Sequence, residues 1–156
     1  MKGQAVSTDT ELRWEATLRI ARELGLCVSD DLIVELAIDS TSPEVSYPGI
    51  RNLIERRAQF TAIVCFNDVS AMGSIRALHD LGKRVPQDVS ILGFDDIQSA
   101  AFQVPSLSTI RQPLRAMGSL GADALLRKLA HEEVAGVIRV KPELVVREST
   151  SAPARL

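Results

Sequence analysis

Cysteine and histidine are scarce in this sequence, which contains two of each among 156 residues. Cys27 and Cys65 are far apart, and Cys65 lies inside an apolar run, where a free thiol behaves as a small hydrophobic side chain. We expect both cysteines to be reduced and structural, because disulfides are unusual inside cells. His79 and His131 have no Cys or carboxylate at ligand spacing, so the sequence predicts no metal site and no cofactor.

Long hydrophobic runs and clusters of positive charge are also missing. No apolar run approaches the length needed to cross a bilayer, although 46% of the residues are hydrophobic. The N-terminus has neither the apolar core nor the cleavage site of a secretion signal, so we expect a cytoplasmic protein without membrane contact. The formal net charge is -2 and the Lys and Arg residues are scattered, so this polypeptide by itself should bind DNA poorly.

Catalytic motifs are absent as well. The sequence has no phosphate-binding G-x-x-x-x-G-K, no dinucleotide-binding G-x-G-x-x-G after a strand, no G-x-S-x-G elbow and no H-E-x-x-H. Asp95 and Asp96 follow an apolar run, as phospho-acceptor aspartates do in receiver domains, but the rest of the receiver pattern is not in its expected places. We therefore expect a protein that is not an enzyme and has no catalytic residues.

The segment from Phe60 to Asp96 carries the strongest structural pattern. Its two short apolar runs, Thr61 to Phe66 and Val89 to Phe94, are typical of strands that are covered on both faces of a parallel sheet. Between them, apolar residues at helical spacing predict a helix that Asp68 or Ser70 caps and that Gly82 ends. A right-handed crossover would place Val64 and Ile91 in adjoining parallel strands.

The remaining segments extend this pattern into an α/β sheet. A helix from Thr8 to Leu24 is predicted from a capping box at Thr8 and Glu11 and from an apolar stripe at Leu12, Ala16, Ile20 and Leu24. The other predicted elements are a strand at 32–38, a helix at 47–57, a short helical turn after Asp96, an extended run at 106–110, a helix at 114–130 and a strand at 144–147.

Two polar residues follow the two central strands. Asn67 and Asp95 fall at the carboxyl ends of the strands, where ligands of open α/β sheets gather. The Asp95 carboxylate can accept charge-assisted hydrogen bonds, and the Asn67 amide offers both a donor and an acceptor. The alternative is that both residues are structural, with Asp95 capping the turn near Ile97 and Asn67 capping a helix; Asp68 and Asp96 are expected to be caps.

An ordered series of motifs over this region resembles the LacI/GalR family of bacterial transcriptional regulators. The series comprises Asn67-Asp68, Ala71-Met72-Gly73, Gly82, Val85-Pro86, Asp88-Val89-Ser90, Gly93-Phe94-Asp95-Asp96, Pro105, Leu107 to Pro113, and Met117-Gly118. The resemblance implies a lobe of a type I periplasmic-binding-protein-like fold. Residues 1–156 would be a partial effector-binding and dimerisation domain, with the 114–130 helix crossing into another lobe.

The resemblance also implies ligand contacts and partners. It assigns Asp95, Asn67, Arg13 and Gln112 to a small-molecule effector of the sugar or nucleoside class. Arg13 matches the arginine of a partly kept RxxGF motif, and would otherwise be a surface arginine; Gln112 would otherwise satisfy backbone groups at the crossover. Ser40 replaces an aromatic residue that often stacks on the ligand in this family.

Further expectations concern assembly. The resemblance implies a homodimer that contacts operator DNA only through a headpiece absent from this sequence, with a dimer surface around the Met72 to His79 helix and the strand near Leu107 to Ile110. The 114–130 helix carries small and apolar residues around most of its circumference. We therefore expect the chain to self-associate, to repack this helix or to expose an apolar patch. Alternatives are a lobe of a periplasmic-type solute-binding protein and a fragment without independent function.

Overall fold

The computed structural model describes residues 1–5, 8–37 and 42–153 and has an α/β fold, as predicted. Two single 3-10 turns lie at Asp30–Leu32 and Pro43–Ser46. The helices and strands, in chain order, are α1 (Thr8–Glu23), α2 (Tyr47–Glu55), β1 (Ala62–Val64), α3 (Asp68–Asp80), β2 (Ser90–Leu92), α4 (Gln98–Phe102), β3 (Thr109–Arg111), α5 (Leu114–Leu129) and β4 (Glu143–Val145).

The centre of the fold is the predicted parallel strand pair. β1 and β2 pair in parallel, with Ile63 opposite Ile91 and Val64 opposite Leu92. β3 pairs antiparallel with β4 and is tied to the β2 region by parallel bridges at Leu92–Ser108 and Asp95–Arg111. The carboxyl ends of β1 and β2 therefore open at the same edge of the fold, and the expected adjacency of Val64 and Ile91 is confirmed.

The helix α3 packs over this strand pair and is buried along most of its length. Its N-cap is Asn67, whose Oδ1 accepts the Ser70 N–H at 2.8 Å, while the Ser70 hydroxyl accepts the Asn67 N–H at 3.2 Å. The prediction that Asp68 or Ser70 is the N-cap is therefore wrong: the N-cap is Asn67, and Ser70 is the second residue of a capping box. Gly82 has the left-handed φ of 73° that was expected to end this helix.

Gly73 brings α3 close to the 3-10 turn at Pro43–Ser46. A Cβ at this position would lie 1.8 Å from the Pro43 carbonyl oxygen, so only glycine permits the contact. The core that surrounds α3 is apolar and comprises Ile50, Leu53, Ile63, Cys65, Ala71, Ile75, Ala77, Leu78, Val89, Ile91, Ala100 and Leu107.

Two predictions for the N-terminal third are wrong. Leu12, Ile20 and Leu24 are 66%, 44% and 68% exposed, so the apolar stripe of α1 faces solvent, and the buried residues of the helix are Thr10 and Ala21. The strand expected at 32–38 reduces to an extended segment with a single parallel bridge between Glu35 and Lys2. Ile38, the last residue of the predicted strand, lies outside the described residues. The Thr8 side chain of the expected capping box is not described either.

The helix α5 has no buried residue. Leu125, Leu126 and Leu129 are each at least 60% exposed, so the expectation of an exposed apolar patch is confirmed. Part of the expected dimer surface is wrong, however, because Leu107, Ser108 and Thr109 are buried within the chain.

Both cysteines are free. Cys65 is buried as expected, and burial raises the pKa of its thiol to about 11, which keeps the thiol protonated and unreactive. Cys27 is exposed, so the expected structural role is wrong for this residue. Within the ranges given above, no helix has the length and apolar character required to cross a membrane.

Candidate functional site

The site lies at the edge where β1 and β2 end. Asn67 follows β1, and Asp95 follows β2; the two exits are joined by a hydrogen bond of 2.8 Å from the Asp68 N–H to the Phe94 carbonyl oxygen. The strand β3 runs alongside the exit of β2, because the Asp95 N–H donates to the Ile110 carbonyl at 2.9 Å. Gln112, the first residue after β3, therefore lies at the same edge. A cleft of about 700 Å³ opens here and is lined by Asp95, Asp96, Arg111, Gln112, Pro113, Leu114, Arg115, Ala116 and Ser119.

Asp95 is held in place by Gln112. The Gln112 Nε2 donates to Asp95 Oδ1 at 2.6 Å, and across the described part of the chain the second carboxylate oxygen has no hydrogen-bond partner. Asp95 also has a φ of 114°, a backbone conformation that is costly for a residue with a side chain and that is found mainly at functional sites. Its alternative role as a cap is not seen, because α4 has Ile97 as N-cap and no side-chain cap.

The charge of Asp95 depends on two opposing effects. Burial raises the pKa of the carboxyl, while the hydrogen bond from Gln112 and the positive charge of Arg13 lower it, and the net result is a raised pKa. A ligand that donates hydrogen bonds to the ionised carboxylate dissociates when the carboxylate becomes protonated. Because the pKa of Asp95 is raised, this would happen at a higher pH than for an ordinary aspartate.

Arg13 reaches the site from α1. Its guanidinium lies over the ring of Phe94, 4.0 Å from the centroid, and 4.9 Å from the centroid of Phe66. Its Nη1 donates to the Phe66 carbonyl at 3.2 Å, and its Nη2 contacts Asp9 at 3.4 Å. The alternative of a solvated surface arginine does not describe this side chain, which is 28% exposed.

Asn67 has one polar group engaged and one available. Its Oδ1 accepts the hydrogen bond of the helix cap, as the structural alternative predicted, and within residues 1–5, 8–37 and 42–153 its Nδ2 donates no hydrogen bond. Arg13, Asp95 and Gln112 are thus linked by contacts or charge, whereas Asn67 shares only the edge with them. Ser40, which was expected in place of a stacking aromatic residue, lies outside the described residues.

A buried network behind the site was missed by the sequence analysis. Asp68 is fully buried, and its carboxylate accepts the Ile97 N–H at 2.9 Å and the Thr109 hydroxyl. Asp96 accepts Arg111 Nε and Arg147 Nη2, each at 2.6 Å. Both aspartates were expected to be helix caps, and both expectations are wrong: Asp68 ties α4 and β3 to α3, and Asp96 ties the two arginines together.

Burial has different consequences for these two aspartates. At Asp96, burial would raise the pKa, but hydrogen bonds from Arg111 and Arg147 outweigh it and hold the pKa below its usual value. At Asp68, burial is the dominant effect and the pKa is raised despite the bonds from Thr109 and Ile97. The sequence feature that could have indicated a buried role was the position of Asp68 between an apolar strand and the predicted helix, with the polar residues Asn67 and Ser70 on either side.

Among the described residues, no group of three or more His, Cys, Asp or Glu is arranged to hold a metal ion. At this edge lie an acceptor oxygen on Asp95, a donor group on Asn67 and the guanidinium of Arg13. Such a mixture suits a small molecule that both donates and accepts hydrogen bonds.

Comparison with known proteins gives consistent matches. The model of the periplasmic binding protein-like domain matches residues 2–150. The HTH-type transcriptional repressor PurR of Pasteurella multocida is 32% identical over 151 residues, 96% of this chain and 44% of that protein. PurR of Serratia proteamaculans is 34% identical over 140 residues, 89% of this chain and 40% of that protein. The chain thus spans less than half the length of these curated relatives.

Solved structures agree with the sequence matches. A sugar-binding transcriptional regulator of the LacI family from Escherichia coli, complexed with phosphate, superimposes with a TM-score of 0.87 at 30% identity and covers 97% of this chain and 54% of that chain. The lac repressor dimer bound to operator and the anti-inducer ONPF gives a TM-score of 0.87 at 26% identity, with 97% and 51% covered.

Proposed function

Because this chain belongs to the periplasmic binding protein-like domain family, as a LacI/GalR-type member, we propose that it is the effector-sensing and dimerisation part of a transcriptional regulator. The observation that carries this proposal is the Asp95 carboxylate at the edge of the parallel strands, fixed by Gln112 and bearing one oxygen without a partner in the described structure. The matched relatives are regulators of transcription, which favours this role over a periplasmic solute-binding lobe.

The proposed ligand is a small sugar-like or nucleoside-like molecule. In this proposal, the free Asp95 oxygen accepts hydrogen bonds from hydroxyl or ring N–H groups, Asn67 Nδ2 donates, and Arg13 donates to ligand oxygens. Gln112 orients the Asp95 carboxylate. In this proposal, a ligand that binds between two lobes makes different contacts in two conformations, and this difference couples ligand binding to DNA binding by a separate headpiece. A regulator of this kind would act in the cytoplasm.

The proposed dimer surface lies on the outer side of α3 and on the end of α4 with the segment that follows it. Arg76 and His79 are exposed on α3, and Phe102 and Val104 are 79% and 87% exposed. A cleft of about 490 Å³ runs between these two segments. Aromatic side chains and arginine are enriched at interfaces between protein subunits, and Phe102 and Arg76 are both exposed on this surface.

Replacement of Asp95 by alanine should weaken effector binding at least about tenfold, because a charge-assisted hydrogen bond is lost. The measurement is the thermal shift of the full chain against a panel of sugars, nucleobases and nucleosides, since a ligand that binds only the folded state stabilises it. The control is Glu55→Ala, an exposed residue of α2 near the start of β1. Equal weakening in both variants, or no shift with any compound, would count against the proposal.

Substitution of Asn67 separates its two roles. Asn67→Ser keeps a cap acceptor and should leave the free energy of unfolding nearly unchanged, whereas Asn67→Ala should lower it by about 1 kcal/mol. Both variants lose Nδ2, so both should bind the effector less tightly than the wild type. Urea unfolding and ligand titration measure the two effects; full ligand affinity in Asn67→Ser would limit this residue to the cap.

A further inference from the structure

The segment from Phe94 to Ile97 carries the proposed effector contact and has an unusual backbone. Its two central residues, Asp95 and Asp96, have φ values of 114° and 57°, in a region that residues with side chains disfavour. Two such residues in succession cost free energy, so contacts from the surrounding structure must hold them in this conformation. The direction of the Asp95 carboxylate depends on these backbone angles.

A single residue, Asp68, fixes both ends of this segment. Its N–H donates to the Phe94 carbonyl oxygen at 2.8 Å, and its Oδ2 accepts the Ile97 N–H at 2.9 Å. Asp68 is the first residue of α3, so the segment is attached to a buried helix. The backbone and the side chain of Asp68 therefore set the span within which Asp95 and Asp96 must turn.

The other carboxylate oxygen of Asp68 is enclosed by two further elements. Asp68 Oδ1 accepts the hydroxyl of Thr109, the first residue of β3, and Thr109 is fully buried. A Cβ at Gly93 would overlap this oxygen, so glycine is needed directly after β2 to leave room for the carboxylate. Asp68 itself has no exposed surface, so it can act on a ligand only through the residues that it holds.

We propose that Asp68 is a positioning residue of the effector site, which holds the segment 94–97 in the conformation that directs the Asp95 carboxylate toward Gln112 and the ligand. The statement about the ligand rests on the proposed function, whereas the statement about Gln112 does not. A residue that only stabilised α3 would leave the contact between Asp95 and Gln112 unchanged in the folded chain.

The positioning depends on the shape and the hydrogen bonds of the Asp68 side chain. An asparagine has the same shape, and its oxygen can accept the Ile97 N–H while its NH₂ group donates to the Thr109 hydroxyl. Asp68→Asn should therefore preserve the conformation of the segment 94–97. Asp68→Ala removes both acceptors and should release it.

The test follows the side-chain amide protons of Gln112 by NMR in the full chain, because Gln112 Nε2 donates to Asp95 Oδ1 at 2.6 Å. In Asp68→Ala, the exchange of these protons with water should be at least about tenfold faster than in the wild type, since a hydrogen bond to a charged group is lost. In Asp68→Asn, the exchange rate should stay within about twofold of the wild type.

Two further substitutions separate positioning from stability. Leu78→Ala leaves a cavity at a fully buried residue of the same helix, about 15 Å along the axis from Asp68, and should leave the exchange at Gln112 as in the wild type. Thr109→Val removes one donor to the carboxylate and should speed the exchange about threefold or more. It provides the same test if Asp68→Ala does not fold, with Thr109→Ser, which keeps the hydroxyl, as its control.

Three results would overturn the proposal. Wild-type exchange at Gln112 in Asp68→Ala or Thr109→Val would show that the contact does not depend on Asp68. Equally fast exchange in Leu78→Ala would indicate a general loosening of the fold, and fast exchange in Asp68→Asn would exclude a role through shape. Because Gln112 is observed without a ligand, a panel in which no compound binds would count against the proposed function alone.

Discussion

Replacing Asp96 by alanine should lower the free energy of unfolding by about 2 kcal/mol, because Arg147 would lose its carboxylate partner in a largely buried position, whereas Arg111 is 48% exposed and would regain water. The Asp96 side chain is only 9% exposed and Arg147 only 17% exposed, so water replaces the lost contacts poorly. Arg147 also donates to the Leu107 carbonyl at 2.7 Å, which links this network to the core. Urea unfolding of the purified variant measures the change.

A matched control is available on the same arginine. Glu143→Ala removes the other carboxylate that contacts Arg111, at 3.3 Å, but Glu143 is 67% exposed, so little change in stability is expected. The pH dependence follows from the lowered pKa of Asp96: its stabilisation is complete above the pKa of the unfolded state, near 3.9, and is lost as the pH falls through the folded-state pKa. Similar losses in both variants would contradict this account.

The double variant Leu126→Gln/Leu129→Gln should bind less hydrophobic dye than the wild type and should self-associate at least about a hundredfold more weakly. These side chains are 67% and 68% exposed and lie one turn apart on α5. Covering two leucines contributes about 3 kcal/mol or more to association, which corresponds to this factor. Sedimentation over a range of concentrations and dye fluorescence provide the two measurements.

The control for α5 changes polar residues of the same helix without changing net charge. Asp123→Asn/Lys128→Gln should leave dye binding and association as in the wild type. Val104→Asp, on the proposed dimer surface, should weaken the dimer while leaving the dye signal of α5 in place. A wild-type chain that sediments as a monomer at all concentrations and binds no dye would exclude the proposed association through α5.

The central part of the fold could be predicted because local patterns and tertiary structure agree there. Two short apolar runs on either side of an amphipathic helix are compatible with few arrangements other than a parallel strand pair joined by a crossover helix. The helix ends at Gly82, which has a positive φ that glycine tolerates best. The same pattern placed Asn67 and Asp95 at one edge of the sheet before their contacts were known. Their proposed roles toward a ligand remain predictions.

The roles of the neighbouring aspartates could not be predicted in this way. Asp68 and Asp96 each come shortly after a strand, where aspartate often caps a helix, so the sequence predicted caps. Their side chains instead bond to residues from distant parts of the chain, namely Thr109 for Asp68 and Arg111 and Arg147 for Asp96. Likewise, the spacing of Leu12, Ile20 and Leu24 identified α1 as a helix but not the face that is buried, because periodicity does not specify what packs against each side.

The sequence by itself determined the α/β class, the order of the elements and the edge of the sheet where polar side chains gather, since these depend on local apolar runs, turn residues and chain direction. Only the tertiary structure decided which carboxylate contacts Gln112, which aspartate joins two arginines, and which face of α1 is buried. Those outcomes depend on contacts between residues far apart in the chain, whose free energies no local pattern contains.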